Sequence, residues 1–255
     1  MRLGFIGTGA ISEHVIIGLI QHGGFEDPIL VSERSRQRSE RLASRFSNVT
    51  AESDNQTIVD HTDVVFLGTL PQQTLSVLDS LTFRSEQTIV SMPAMISVEQ
   101  VAEKVSPASR IHRIIPMPPN ELGVGPIPVY PPSPELTALL SPLGTIIPVE
   151  IQEHFSTFSA SSAIMATMFE LVATNARWME AQGVEAETAS RYATALFHSL
   201  ATQAKESDAA KLRSLSANCL TAGGLNEQLL NATKAEGWYG ELEAELDRVL
   251  TRISK

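Results

Sequence analysis

The residues with the clearest chemical purpose are Gly7-Thr8-Gly9-Ala10-Ile11-Ser12, which follow a short apolar run and open an amphipathic one. Glycine at position 7 permits a tight strand-to-helix turn, and glycine at 9 lets a bulky anion approach the main chain. The first amides of the ensuing helix lack internal acceptors and lie at the positive end of its dipole. That combination suits a diphosphate, the chemistry of a dinucleotide site. Gly7, Thr8, Gly9, Ala10 and Ile11 are the expected contacts. Ser12 stands where a third glycine is usual and is small enough for close helix–strand packing.

Three further segments bear on ligand choice. At the end of the second apolar run lies Val31-Ser32-Glu33-Arg34-Ser35-Arg36. An acidic residue there suits the ribose hydroxyl of NAD, whereas an adjacent arginine offers a planar donor fork to the 2′-phosphate of NADP. Arg34 and Ser35 favour NADP, with NAD open as the alternative. Arg38, Arg41 and Arg45 follow at helical spacing and read as a solvated face. Thr69, Leu70 and Pro71 follow the run Val64–Leu67, where open α/β sheets bind ligands beyond their strand ends. Thr221-Ala222-Gly223-Gly224-Leu225-Asn226 puts adjacent glycines before a helical run. It reads either as a carboxylate cradle or as a plain helix stop and restart.

These groups need a scaffold. Short apolar runs at Leu3–Ile6, Ile29–Val31, Val64–Leu67, Ile89–Val90 and Ile111–Ile115 alternate with helical patterns beginning near Ala10, Arg34, Gln72 and Val98. That alternation predicts a Rossmann-type, doubly wound parallel sheet over residues 1–150. Eight of the 14 prolines fall between Pro116 and Pro134, which predicts a rigid extended loop, and none follows Pro148. The proline-free remainder, with Ile164, Met168, Leu171 and Val172 and then Tyr192, Leu196 and Leu200 at helical spacing, predicts an all-α domain over 151–255. Gly183 is the expected stop between its first two helices. The fold class is thus α/β followed by all-α.

Composition narrows the partners. The 255 residues carry a net charge of −10, which argues against nucleic acid or an anionic membrane as partner. Cys219 is the single cysteine, and the six histidines never fall three or four apart, so no thiolate zinc site or local metal motif is expected. No apolar run nears the roughly 20 residues that span a bilayer. The opening apolar stretch is interrupted by Glu13 and His14, unlike a signal peptide. The expectation is a cytoplasmic protein that holds a small molecule.

Taken together the segments resemble the Δ1-pyrroline-5-carboxylate reductases. Gly4-Phe5-Ile6-Gly7-Thr8-Gly9-Ala10-Ile11 looks like the family's opening, and Ser32-Glu33-Arg34-Ser35 its S-N-R-S turn. Asp54-Asn55 is similar to its D-N pair near the adenosine ribose. Asp63-Val64-Val65-Phe66-Leu67 with Pro71-Gln72 resembles D-V-V…K-P-Q, and Arg113–Pro119 resembles R-x-M-P-N-x-P. Thr221-Ala222-Gly223-Gly224 resembles the S-P-G-G of the substrate loop. The resemblance implies an N-terminal cofactor domain that includes Asn55 among its contacts. It also implies a helical domain that forms a homodimer or higher homo-oligomer, and hydride transfer from NADPH to the C=N carbon of a cyclic imine, pyrroline-5-carboxylate to proline. Thr221, Gly223, Gly224 and Asn226 would then contact the substrate. Departures cluster in the substrate half. Leu70 stands for lysine, Met117 for asparagine, Ala160–Ile164 for G-S-G-P-A, and Leu225-Asn226 for a threonine pair, leaving Asn226, Ser161 and Ser162 to redefine the pocket.

Two other functions compete. A β-hydroxyacid dehydrogenase uses a lysine four residues before an asparagine on its first long helix, but Leu171 precedes Asn175 here and no lysine lies between Lys104 and Lys205. A non-catalytic NAD(P)-binding sensor or scaffold would keep the cofactor domain and lose the substrate loop's chemistry.

Overall fold

A computed structural model describes residues 1–254, the side chain of Arg34 excepted. The chain divides into two compact units, in the main residues 1–159 and residues 160–253.

In the first unit, strands and helices alternate: β1 (Leu3–Ile6), α1 (Ala10–Gln21), β2 (Ile29–Ser32), α2 (Arg36–Arg45), β3 (Val49–Glu52), α3 (Asn55–His61), β4 (Val64–Leu67) and α4 (Pro71–Leu78). They continue as β5 (Thr88–Ser91), α5 (Val98–Val105), β6 (Arg110–Ile114), β7 (Pro126–Tyr130), α6 (Pro134–Leu140) and β8 (Thr145–Pro148). All eight strands form one sheet in the order β3-β2-β1-β4-β5-β6-β7-β8. The first six run parallel; β7 is antiparallel to β6, and β8 runs parallel to β7.

The sequence pattern builds this sheet by alternation along each strand. Leu3 and Phe5 on β1, Val64 and Phe66 on β4 and Val90 on β5 face a core closed by Val15, Ile16 and Leu19 of α1, Leu42 of α2 and Leu136 and Leu140 of α6. Ile6, Val65, Leu67 and Ile89 point the other way, onto Ile58 of α3, Leu78 of α4 and Val101 and Val105 of α5. Strands covered on both faces therefore read as nearly unbroken apolar runs. Phe5 and Phe66, register partners on β1 and β4, stack at 4.6 Å with an interplanar angle of 5°. Such a pair contributes about 0.5–1.5 kcal/mol beyond its burial.

The sequence predicts the doubly wound sheet correctly but counts five strands where there are eight among the described residues. The proline-rich stretch is not wholly a loop. Pro126–Tyr130 forms β7, because a proline carbonyl still accepts, as Pro128 O does from Ile115 N at 3.3 Å. The second helix, expected near Arg34, starts at Arg36. A 3-10 turn over Glu33–Ser35 precedes it.

The second unit is helical: α7 (His154–Ser162), in which the chain passes between the units, then α8 (Ile164–Ala181), α9 (Ala186–Lys205), α10 (Ala209–Asn218), α11 (Leu225–Ala235) and α12 (Trp238–Ile253). Gly183 at φ +91° ends α8, and the Glu185 carboxylate caps α9 by accepting from the amides of Glu187 and Thr188. Helices α8 and α9 pack together. Yet no residue of α8, α10, α11 or α12 is buried, and Phe169 and Trp178 are 70% and 62% exposed.

One helical stretch, His154–Ala181, is long and apolar enough by length and composition to cross a membrane, its most apolar 18 residues having a mean hydropathy of 1.2 and 11% of them buried. This corrects the expectation that no such stretch exists. It combines α7 with α8, breaks its apolar run with Glu170 and Arg177, and pairs those two charges at 2.5 Å.

Candidate functional site

The glycine turn is built from hydrogen bonds that its own sequence supplies. Gly7 adopts φ +97°, a conformation that favours glycine. Its amide donates to Ser32 Oγ at 2.8 Å, and Thr8 Oγ1 donates to Ser32 O at 2.7 Å, which ties the turn to the end of β2. Ser12, fully buried, donates through Oγ to Gly7 O at 2.6 Å. A Cβ built on Gly68, just past β4, would lie 2.1 Å from that same Oγ, so the β1–α1 turn and the β4–α4 connection need both glycines to pass this closely.

Gly9 is the N-cap of α1 in an extended conformation, and no side chain caps the helix. Its first amides are therefore offered to an external acceptor at the positive end of the dipole. A cleft of about 270 Å³ opens directly beside them, lined by Gly9, Ala10, Ile11, Gly68, Thr69 and Leu70 and by Met92, Pro93, Ile115 and Pro116. The residues present fit a dinucleotide. There are bare amides without a competing side chain, a glycine floor, and an apolar wall beyond for a flat ring.

Of the residues singled out in the sequence, Gly9, Ala10, Ile11, Thr69 and Leu70 come together at this cleft, with Gly7 and Thr8 supporting it from behind. Pro71 opens α4 at its first position, where its missing N–H costs nothing. Thr69 Oγ1 lies 2.9 Å from Thr74 Oγ1, which fixes the connection. Ser35 ends the turn after β2, and Asn55 begins α3 after β3. The Arg34 side chain lies outside the described residues. Asp54, next to Asn55, is a helix cap: Thr57 Oγ1, then the amides of Gln56 and Thr57, hold its carboxyl below the usual value.

Met92, Pro93, Ile115 and Pro116 escape a reading based on polar chemistry. Their signal is positional, since each directly follows a strand of the parallel set. Behind them Arg113 is half-buried, its guanidinium 4.9 Å over the Phe155 ring. Burial lowers its pKa, an effect that nearby Glu99 partly offsets. Asn120 orders the proline-rich segment by accepting from Met117 N at 2.7 Å and donating to Val124 O and Leu143 O. His14 Nδ1 and Glu121 Oε2, 2.5 Å apart, tie that segment to α1.

The loop before α11 has its own geometry. Gly223 turns at φ +71°, and Gly224 N donates to Thr221 O at 2.7 Å. Gly223 N donates to Glu227 Oε2 at 2.7 Å, and Asn226 Nδ2 donates to Cys219 O at 3.1 Å. The two adjacent glycine amides thus both have acceptors within the chain, the Glu227 carboxylate and the Thr221 carbonyl. Thr221 and Ser161 are exposed. Among the described residues no three His, Cys, Asp or Glu side chains cluster as a metal site would require.

Residues 2–95 match the family model described as NADP oxidoreductase coenzyme F420-dependent. That match, the glycine turn and the sheet order define the class, oxidoreductases built on a dinucleotide-binding domain. The chain is 29% identical over 213 residues to a pyrroline-5-carboxylate reductase of Corynebacterium melassecola, covering 79% of this chain and 78% of the relative. It is 23% identical to the enzyme of that name from Haemophilus influenzae, covering 98% and 95%. The fold matches the 1-pyrroline-5-carboxylate reductase of Streptococcus pyogenes with a TM-score of 0.83 at 24% identity, covering 99% of this chain and 98% of the other. It also matches the pyrroline carboxylate reductase of Plasmodium falciparum, solved with NADP bound, with a TM-score of 0.85 at 15% identity, covering 99% and 96%. In sequence and in fold the chain is similar to the pyrroline-5-carboxylate reductases.

Proposed function

We propose that this chain reduces a cyclic imine at the expense of NADPH, converting pyrroline-5-carboxylate to proline, and that it works in the cytoplasm as a homodimer or larger homo-oligomer. The observation that carries the proposal is the uncapped start of α1 facing an apolar cleft beyond β1, β4, β5 and β6. In this reading the amides of Gly9, Ala10 and Ile11 hold the diphosphate. Arg34 and Ser35 read the 2′-phosphate, with NAD as the weaker alternative, and Asn55 lies at the adenosine ribose. Thr69, Leu70 and Pro71 support the nicotinamide ribose. Ile115, Pro116, Met92 and Pro93 keep water from the ring.

Bound nicotinamide supplies the hydride; the chain's task is to orient the two partners. A cyclic imine takes up a proton near neutral pH, so no strong side-chain acid is required. Thr221, Gly223, Gly224 and Asn226 are proposed as the substrate contacts, and the Gly223 amide becomes available when the Glu227 carboxylate yields it. The division of labour is a cofactor domain over 1–150 and a helical dimerisation and substrate domain over 151–255. The exposed Phe169, Trp178 and Leu229 favour a partner subunit as the cover for the second unit's helices.

The test is NADPH oxidation followed by absorbance with small cyclic imines, with and without a carboxylate. Turnover is the expected result. Tight NADPH binding with no turnover of any imine would instead establish a sensor, the reading that the occupied Gly223 amide favours.

A further inference from the structure

Glu13 is a carboxylate where α1 should carry an apolar side chain. Its neighbours Ser12, Val15, Ile16 and Leu19 are all buried against the sheet, and the Glu13 side chain itself is only 10% exposed. Burying a carboxylate is costly unless opposite charge meets it. Here two guanidiniums do. Arg41 Nε donates to Glu13 Oε1 at 2.9 Å and its Nη2 to the same oxygen, while Arg38 Nη1 donates to Oε2 at 3.3 Å. The arginine row of α2 is thus not simply a solvated face.

Both arginines stand on α2, three residues apart and so on one side of the helix. Each oxygen of a single α1 carboxylate is bound by a different residue of α2, which fixes rotation as well as distance between the helices. The other α2 arginines are engaged elsewhere: Arg36 with Glu40 at 2.8 Å, and Arg45 over the Phe46 ring at 4.9 Å. Helix α1 starts at the glycine turn, and α2 starts directly after the turn Glu33–Ser35. The clamp therefore acts with the Ser32 bonds to Gly7 and Thr8 to set the spacing between the amides offered to a diphosphate and the turn offered to a 2′-phosphate. Two cations on one anion also leave this cluster with one net positive charge.

We infer that Glu13 is a positioning residue for cofactor choice: through Arg38 and Arg41 it holds the start of α2 against α1, and the preference for NADPH over NADH depends on that hold. The inference rests on the dinucleotide reading of the glycine turn and adds to it a residue that touches no ligand.

The experiment compares the full chain with Glu13→Gln, Glu13→Asp, Arg41→Gln and the Glu13→Gln/Arg41→Gln double variant. Dissociation constants for NADPH and for NADH are measured by calorimetry at one fixed salt concentration, with the Tm of each protein recorded alongside. Removing the charge of Glu13 is expected to weaken NADPH about tenfold and NADH less than about twofold. The double variant is expected to lose no more preference than Glu13→Gln alone, because the residues act as one unit. Glu13→Asp, which keeps the charge, is expected to retain part of the preference. An unchanged NADPH-to-NADH ratio with a lowered Tm would overturn the inference and leave Glu13 a purely structural residue. Tighter NADPH binding would overturn it too, since the freed arginines would then be reaching the phosphate themselves. If Glu13→Gln does not fold, Arg38→Gln and Arg41→Gln decide on the same ratio. A wild-type chain that binds neither coenzyme removes the dinucleotide reading itself, whereas one that prefers NADPH with a ratio insensitive to all these variants removes only the role of Glu13.

Discussion

Two alanines placed two residues apart separate folding from binding. At Gly7 the backbone is at φ +97°, and a Cβ would lie 2.6 Å from Gly68 C and from Thr69 N, both main-chain atoms that cannot rotate away. The left-handed conformation costs a residue with a Cβ roughly 1–2 kcal/mol. Forcing a methyl into packed backbone adds about 1–3 kcal/mol. Gly7→Ala should therefore lose about 2–5 kcal/mol, a large share of the 5–15 kcal/mol typical of a native domain. At Gly9 the same methyl meets only Gly68 O at 3.7 Å, an ordinary contact. Stability should change by no more than about 1 kcal/mol, the scale of an N-cap substitution. Gly9 lines the cleft, however, so the methyl stands where a phosphate must approach the amides. Losing even one charge-assisted bond is worth about 1.5–3 kcal/mol, or roughly 10- to 100-fold in affinity. Urea unfolding measures the first quantity and calorimetric titration with NADPH the second. A Gly9→Ala protein that binds NADPH like the wild type would refute placement of the diphosphate at this turn. A Gly7→Ala protein of wild-type stability would refute the steric argument.

Glu227→Gln keeps an acceptor for the Gly223 amide but removes its charge, so the KM for a carboxylate-bearing imine should fall about three- to tenfold at similar kcat. Initial-rate kinetics decide it, and an unmoved KM would take Gly223 out of the substrate site. Phe169→Arg puts a charge in the exposed apolar set of α8 and should shift the protein towards monomer in sedimentation equilibrium; a wild type already monomeric would dispose of the dimer proposal. Asp63 is held below the usual carboxylate value, first by the Arg2 amide and then by the Arg2 guanidinium. A depressed carboxylate stabilises above its unfolded pKa of about 4, and the contribution disappears as pH falls through the lower folded value. Asp63→Asn should thus flatten the acid limb of a stability–pH profile by less than about 1 kcal/mol, both partners being nearly half exposed. An acid limb as steep as the wild type's would show that the pairing contributes nothing.

Much of the cofactor half was legible because main-chain requirements leave a mark on sequence. Gly7 and Gly9 announce the turn, and the unbroken apolar character of Val64–Leu67 announces a strand covered on both faces. What the sequence does not display depends on tertiary context. β3 is a half-exposed edge strand with the sequence VTAE, which carries neither clean alternation nor a long apolar run. Helix α3 was signalled only by its cap, Asp54 before Gln56 and Thr57. The proline-rich segment hid β7, because strand propensity weighs proline by its missing donor and overlooks its carbonyl. The arginine row of α2 looked solvated because its acidic partner lies on another helix, 25 and 28 positions earlier. An acidic residue inside the buried stretch Ser12–Leu19 of α1 is the available hint. At the substrate loop the glycines revealed a turn, but only coordinates reveal that Glu227 folds back onto it.

Both margins of the sheet are four-residue strands, β3 on one flank and β8 on the other, and β8 finishes on Pro148. A rim so short, closed by a residue with no N–H to extend, gives a passing chain almost nothing to zip onto. The sheet thereby offers little for edge-to-edge pairing with another chain during synthesis and refolding, when its hydrophobic strands are most vulnerable.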